Sequence, residues 1–219
     1  MNLRIKTMMM AAACTVALGA ATSVSAATLD FVAYPNVNGE KGVVDGTVIA
    51  FDGLDVTFTS SHFAYFDASS PGEVANGGGA GLGVCKVLTG SAQCTPSNDD
   101  NLTTSETVTL GFGAAQTLSN LTFNAEGHTA LTSATKTLTY GINGGALQSI
   151  NFAALGASVF NNVTSITFGF DDQNQTGDQY YIAGATAVAA VPLPATAPLL
   201  IGALGLMGWG ARRRRQQAT

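Results

Sequence analysis

Residues 164–170 read Thr164-Ser165-Ile166-Thr167-Phe168-Gly169-Phe170. Small or polar residues alternate with large apolar ones at a period of two. Successive side chains of a strand point to opposite faces. Ile166, Phe168 and Phe170 therefore share one face, and Ser165, Thr167 and Gly169 the other. This predicts a half-buried strand. The same alternation recurs at 54–59, 107–112, 137–142 and 181–188, and in part at 118–123. Residues 29–34, 46–51 and 62–66 are further candidates. Asn143-Gly144, between 140–142 and 147–150, is a strong hairpin signal. No segment upstream of the tail carries an apolar stripe at 3.6-residue spacing. About nine or ten short strands predict an all-β fold, a two-sheet antiparallel sandwich of jelly-roll type.

The flanks of this region differ from it. Charged residues make up only 11% of the 219-residue chain, against the usual quarter. Arg4 and Lys6 precede an uncharged apolar stretch at 8–21, and Val24-Ser25-Ala26 has the small-x-small form of a cleavage site. That pattern predicts a signal helix over 1–26 and a mature chain beginning at Ala27. Six of the nine basic residues lie in the two ends. The middle keeps Lys41, Lys86 and Lys136 against fourteen acids, a balance of −11. Such a surface repels nucleic acid and anionic headgroups. It favours cations, and outside the cell that points to calcium. Cys14 falls within the leader. Cys85 and Cys94 remain, flanking a turn-like Thr89-Gly90-Ser91, and in an exported domain they are expected to form a disulfide.

The C-terminal stretch has three parts in order: Val191-Pro192-Leu193-Pro194-Ala195, an apolar run over about 198–211, and Arg212, Arg213, Arg214 and Arg215. Pro198 suits the first position of a helix. A helix over 198–211 would be roughly 21 Å long, short of the roughly 30 Å hydrocarbon core, and snorkelling arginines and local thinning can close that gap. The arginines place the C-terminus in the cytoplasm. This order closely resembles the VPLPA-CTERM sorting signal, a variant of the PEP-CTERM class. The resemblance implies an exosortase, a membrane-embedded transpeptidase, as partner, processing near Pro194-Ala195, and delivery through the Sec export machinery. The chain then divides into a signal peptide (1–26), an exported β-sandwich (27–188) and the sorting signal (189–219). It is expected at the inner membrane before processing and at the cell surface or outside the cell afterwards. Gly81-Leu82-Gly83-Val84-Cys85, Asp99-Asp100-Asn101, residues 106–112 and Asp178-Gln179-Tyr180-Tyr181 resemble phrases of cargo domains of that class, which implies no settled activity.

Candidate chemistry in the body is sparse. Asp172, Asn174, Thr176 and Asp178 place oxygens at alternate positions, the start of a calcium-loop pattern, but Ala183 stands where a bidentate acid is expected. Asp99, Asp100 and Glu106 form a second acidic group. The competing reading of both is a polar turn bonding its own backbone. The Gly-rich 76–81 stretch lacks the Lys-Ser/Thr that a phosphate cradle needs. The Asn-x-Thr triplets at Asn101, Asn120, Asn162 and Asn174 read as turn or strand-edge positions. His62 and His128 are the only histidines. No nucleophile elbow accompanies either, and His128 reads as a strand-end hydrogen-bonding residue or a minor cation ligand. Tyr34, Phe63, Tyr65, Phe66, Tyr180 and Tyr181 could form a sugar-stacking platform, against the alternative of filling the core. The favoured expectation is a non-catalytic structural or adhesive envelope or matrix protein. The alternatives are a calcium-dependent module binding extracellular polysaccharide and a secreted hydrolase.

Overall fold

A computed structural model of the protein describes residues 25–68, 79–172 and 177–190, together with Gly202. Eleven strands run in chain order: β1 (Ala26–Asp30), β2 (Lys41–Val43), β3 (Thr47–Phe51), β4 (Leu54–Ser60), β5 (Phe63–Asp67), β6 (Gly81–Cys85), β7 (Thr107–Ala125), β8 (Thr137–Ile142), β9 (Gln148–Asn151), β10 (Phe160–Phe170) and β11 (Tyr180–Ala189). Two short helices interrupt them, α1 (Ala33–Asn38) and α2 (Phe152–Gly156). Every pairing between these strands is antiparallel. The opening stretch forms the C-terminal part of β10, with Ile166 and Phe168 fully buried.

The all-β expectation holds, but the hydrogen bonding is not split into two sheets. It runs unbroken in the order β2-β5-β6-β11-β7-β10-β8-β9, with β1 on β11 and the β3–β4 hairpin on β7. The reason is β7, which joins the two expected strands at 107–112 and 118–123 into one of 19 residues. Gly111 of β7 faces Ser165 of β10 and Gln116 faces Val163, so Thr164 alone opposes residues 112–115. This bulge bends the strand. Beyond it, the Phe123 ring lies 6.0 Å from Phe168, whose partner across β7 is Val108. The two halves of β7 thus stack, and the sheet folds over itself as two layers. Phe58 of β4 meets Phe66 of β5 edge-on at 5.2 Å, although the two strands share no hydrogen-bonded register.

Three asparagines make these bends. Asn162 (φ 57°) lies at the irregularity in β10 and Asn120 (φ 51°) at that between β7 and β11. Asn is among the few residues that adopt this left-handed conformation readily. Asn143 (φ 53°) and Gly144 (φ 72°) form the predicted hairpin turn. The Asn143 carboxamide also ties that turn to β10. Its Oδ1 accepts from Thr164 N at 2.7 Å, Thr164 Oγ1 at 3.0 Å and Ser165 N at 3.2 Å, and its Nδ2 donates to Asn162 O at 3.0 Å. Asn143→Ala removes these bonds and the tolerance for positive φ together. A loss of about 2–3 kcal/mol in urea unfolding is expected, with Asn143→Asp recovering part of it.

Two further expectations are corrected. Residues 29–34 do not form one strand, because β1 stops at Asp30. The Asp30 carboxylate accepts from Val32 N (3.1 Å) and Ala33 N (2.8 Å), which turns the chain into α1. Both helices are too short to show a 3.6-residue stripe, and α2 is capped by Asn151, whose side chain accepts from Ala154 N. The sugar platform is largely lost to the core. Tyr65, Phe66, Tyr180 and Tyr181 are at most 2% exposed, and their area goes into packing, while Tyr34 and Phe63 stay partly exposed. No helix among the described residues is long and apolar enough to cross a membrane. The expected signal helix (1–24 of it), the sorting pentad, the 198–211 span apart from Gly202, and Arg212, Arg213, Arg214 and Arg215 lie outside the described residues.

Candidate functional site: a buried carboxylate cluster

The most chemically distinctive group joins three separate segments. Glu40 follows α1, Asp67 ends β5, and Asp100 lies between the disulfide and β7. One carboxylate oxygen of each lies within 4.8 Å of the other two. Asp67 is 5% and Asp100 7% exposed. Tyr181 Oη donates to Asp100 Oδ1 at 2.5 Å, and His128 Nε2 stands 3.3 Å from Asp67 Oδ2. The His128 ring meets that of Tyr181 edge-on at 5.4 Å.

Local structure holds these groups in place. Cys85 and Cys94 form the expected disulfide, with Tyr65 packed against it. The loop it closes turns at Thr89-Gly90-Ser91, with Thr89 N donating to Gln93 O. From that loop Gln93 Nε2 donates to Glu40 O, and Ala92 O accepts from Gly42 N. The bridge therefore fixes the Glu40 segment as well as its own loop. Gly83 admits the Asp100 segment, since a Cβ there would overlap Asp100 O. His128 turns the chain after β7 with φ 56° and donates its N–H to Ala125 O, in keeping with its expected strand-end role.

Burial of like charges sets the electrostatics. Asp67 is pushed up to about 8, first by burial and then by a hydrogen bond with Glu40 and the charge of Asp100. Burial also raises Asp100, against the hydrogen bond from Tyr181. Tyr181 and Tyr65 are both raised, mainly by burial. With its carboxyl raised, Asp67 keeps a proton into the neutral range and shares it with Glu40 through their hydrogen bond.

The structure splits the acidic group expected from the sequence. Asp99 and Glu106 face Lys86, at 2.8 Å and 3.0 Å from its Nζ, and these carboxylates raise Lys86. Glu106 also accepts from Thr103 N at 2.8 Å, and burial pushes its carboxyl up. Only Asp100 joins the cluster, because neighbouring residues of this loop point to different sides. In the other group, Asn174 and Thr176 lie outside the described residues. Asp172 accepts from Ser105 N at 3.0 Å, and Asp178 lies 3.7 Å from Lys136 Nζ. Glu40 and Asp67 escaped the sequence reading. The available signal was Asp67 itself, an acid closing the apolar run Phe63-Ala64-Tyr65-Phe66. A separate pocket of about 680 Å³ opens between Val32, Leu121, Phe123, Leu131 and Phe152, with a mostly apolar lining.

The strongest comparison falls outside this cluster. Residues 190–215 match the family model described as PEP-CTERM protein-sorting motif. The tail is a PEP-CTERM sorting motif. No curated protein and no solved structure matches the chain. The PEP-CTERM motif implies export, a membrane-anchored sorting signal and processing by an exosortase, a membrane protein. It matches 26 of the 219 residues and assigns no chemistry to the β-rich body.

Proposed function

We propose that the chain is an exosortase-sorted structural or adhesive protein of the cell envelope or extracellular matrix, whose body acts without catalysis. The observation that carries this reading is the PEP-CTERM motif placed directly after a disulfide-bridged β-rich body. The body's small, polar and acidic surface, its leader-like start and its low charge content support an extracytoplasmic life. Residues 1–26 act as a Sec signal peptide, and 198–211 with the four arginines hold the tail in the inner membrane until processing. The product then reaches the surface or the surrounding polymer.

Replacing Arg212, Arg213, Arg214 and Arg215 by Gln tests this. The variant is expected to lose membrane retention and tail removal, read as the intact mass of the recovered chain. Unchanged tail removal would overturn the sorting reading.

A calcium-dependent variant of this function now rests on Glu40, Asp67 and Asp100, the carboxylates the fold gathers. Calcium would compete there with the shared proton, so its effect on the melting midpoint is confined to alkaline pH.

A further inference from the structure

Among the described residues, the last hydrogen-bonded residue of the body is also the first residue of the sorting motif. Ala190 N donates to Ala115 O at 3.0 Å, and the motif match begins at Ala190. β11 is no loose terminal strand: it pairs with β7 on one side and with β1 and β6 on the other. Its register sets Val188 opposite Ala26 and Ala189 opposite Gln116. Nothing separates this end of the sheet from Val191-Pro192-Leu193-Pro194-Ala195. An enzyme that grips the pentad therefore acts within five residues of the body's last described residue.

Charge is unevenly spread along the strands. β11 is ten residues long, about 30 Å, and its far end at Tyr180–Tyr181 lies among Asp67, Asp100 and His128. Glu106, Asp171 and Asp172 also lie at that end, since Tyr180 Oη reaches Gly169 O and Gly169 pairs with Thr107. The end where the tail leaves is formed by the β7 bulge and the bend of β10. It exposes Gly113, Ala114, Val159, Asn161, Asn162 and Ala189. Among the described acids, only Asp52, which accepts from Thr28 N, and Asp55 of the same hairpin lie there.

We propose that this charge-poor end, the β7 bulge at Gly113 and Ala114 above all, is a docking face for the membrane-embedded sorting enzyme, which reads the folded edge together with the pentad. The proposal rests on the sorting reading above. No residue separates the last bonded residue, Ala190, from the pentad, and the small side chains of the bulge leave room for a partner to approach.

The test uses the full chain in a host that trims the parental tail. Gly113→Glu with Ala114→Glu adds two charges at the face. A side chain at Gly113 meets nothing within 4 Å, and Ala114 is exposed, so the fold accommodates both. Asn161→Glu on β10 is an independent variant of the same face, and melting of each purified body checks folding. Each variant is expected to slow tail removal at least tenfold, and a ten-residue Gly-Ser insertion after Ala190 in the parental chain is expected to slow it likewise, because it moves the folded edge away from the pentad. Parental rates in the folded variants, or in the insertion, would overturn the docking face. Pro192→Ala with Pro194→Ala separates the two ideas. If that variant blocks trimming while the acidic variants do not, only the docking face falls. If it leaves trimming untouched, the sorting reading falls.

Discussion

Phe58→Ala is expected to cost the body about 3–5 kcal/mol. Phe58 is fully buried on β4, and its ring contacts Phe31 at 6.1 Å, Phe51 at 6.3 Å and Phe66 at 5.2 Å. These partners come from the turn just after β1, from β3 and from β5, so one side chain joins both layers of the folded sheet. Truncation loses the transfer energy of the ring and leaves a cavity among three aromatics that cannot collapse independently. Typical domains are stable by roughly 5–15 kcal/mol, so the variant is expected to keep only a small folded margin at 37 °C. Phe58→Leu retains most of the volume and should cost about 1–2 kcal/mol. Urea unfolding monitored by far-UV circular dichroism gives both values. A loss below about 1 kcal/mol for Phe58→Ala would mean that the layers do not meet at this ring.

That contact was not visible in the chain as text, although the strand was. Period-two alternation located residues 54–59 and 107–112 because one face there is buried and the other is more open, and that difference is written locally. β6 escaped for the opposite reason: Gly81-Leu82-Gly83-Val84-Cys85 is buried on every residue, so it has no polar face to alternate with. β7 looked like two strands because its bulge breaks the alternation at Gly113-Ala114-Ala115. Whether such a break is a turn or a bend depends on β10, which lies some fifty residues away. The carboxylate cluster is the extreme case. Glu40, Asp67 and Asp100 are spaced by 27 and 33 residues, and no local rule brings them together. The disulfide was legible because two cysteines in an exported domain have a single partner each. Its role in holding the Glu40 segment through Gln93 was not. The sorting tail lies at the other limit: its order of pentad, apolar run and arginines is a linear code, and reading it requires no fold at all.

The carboxylate cluster should make the body less stable as pH rises from about 4 to about 8. Asp67 starts from 3.8 in the unfolded chain and is pushed up to about 8 in the fold, first by burial, then by Glu40 and Asp100. Between those values the folded state keeps a proton that the unfolded state has released. Raising the pH pulls toward the state that binds fewer protons, so the contribution is complete below about pH 4, declines through the interval and is gone above about 8. Asp100 is raised by burial and acts in the same direction. The groups facing Asp67 are Glu40, Asp100, His128 and Tyr181. Partial relaxation of the cluster reduces the effect, and a fall on the order of 2 kcal/mol between pH 5 and pH 8 is expected. Asp67→Asn supplies a donor to Glu40 at every pH and should flatten this slope while leaving the fold intact. Urea midpoints of the parental body and the variant at pH 5, 6.5 and 8 check it, and equal slopes would remove Asp67 as the cause. Calcium added at pH 8 then distinguishes two ways of neutralising the same charges. A midpoint raised in the parental body and not in Asp67→Asn supports cation binding at these carboxylates. An unchanged midpoint leaves the proton as what binds the three acids together, with the cluster acting as a buried latch between the disulfide loop, β5 and the turn at His128.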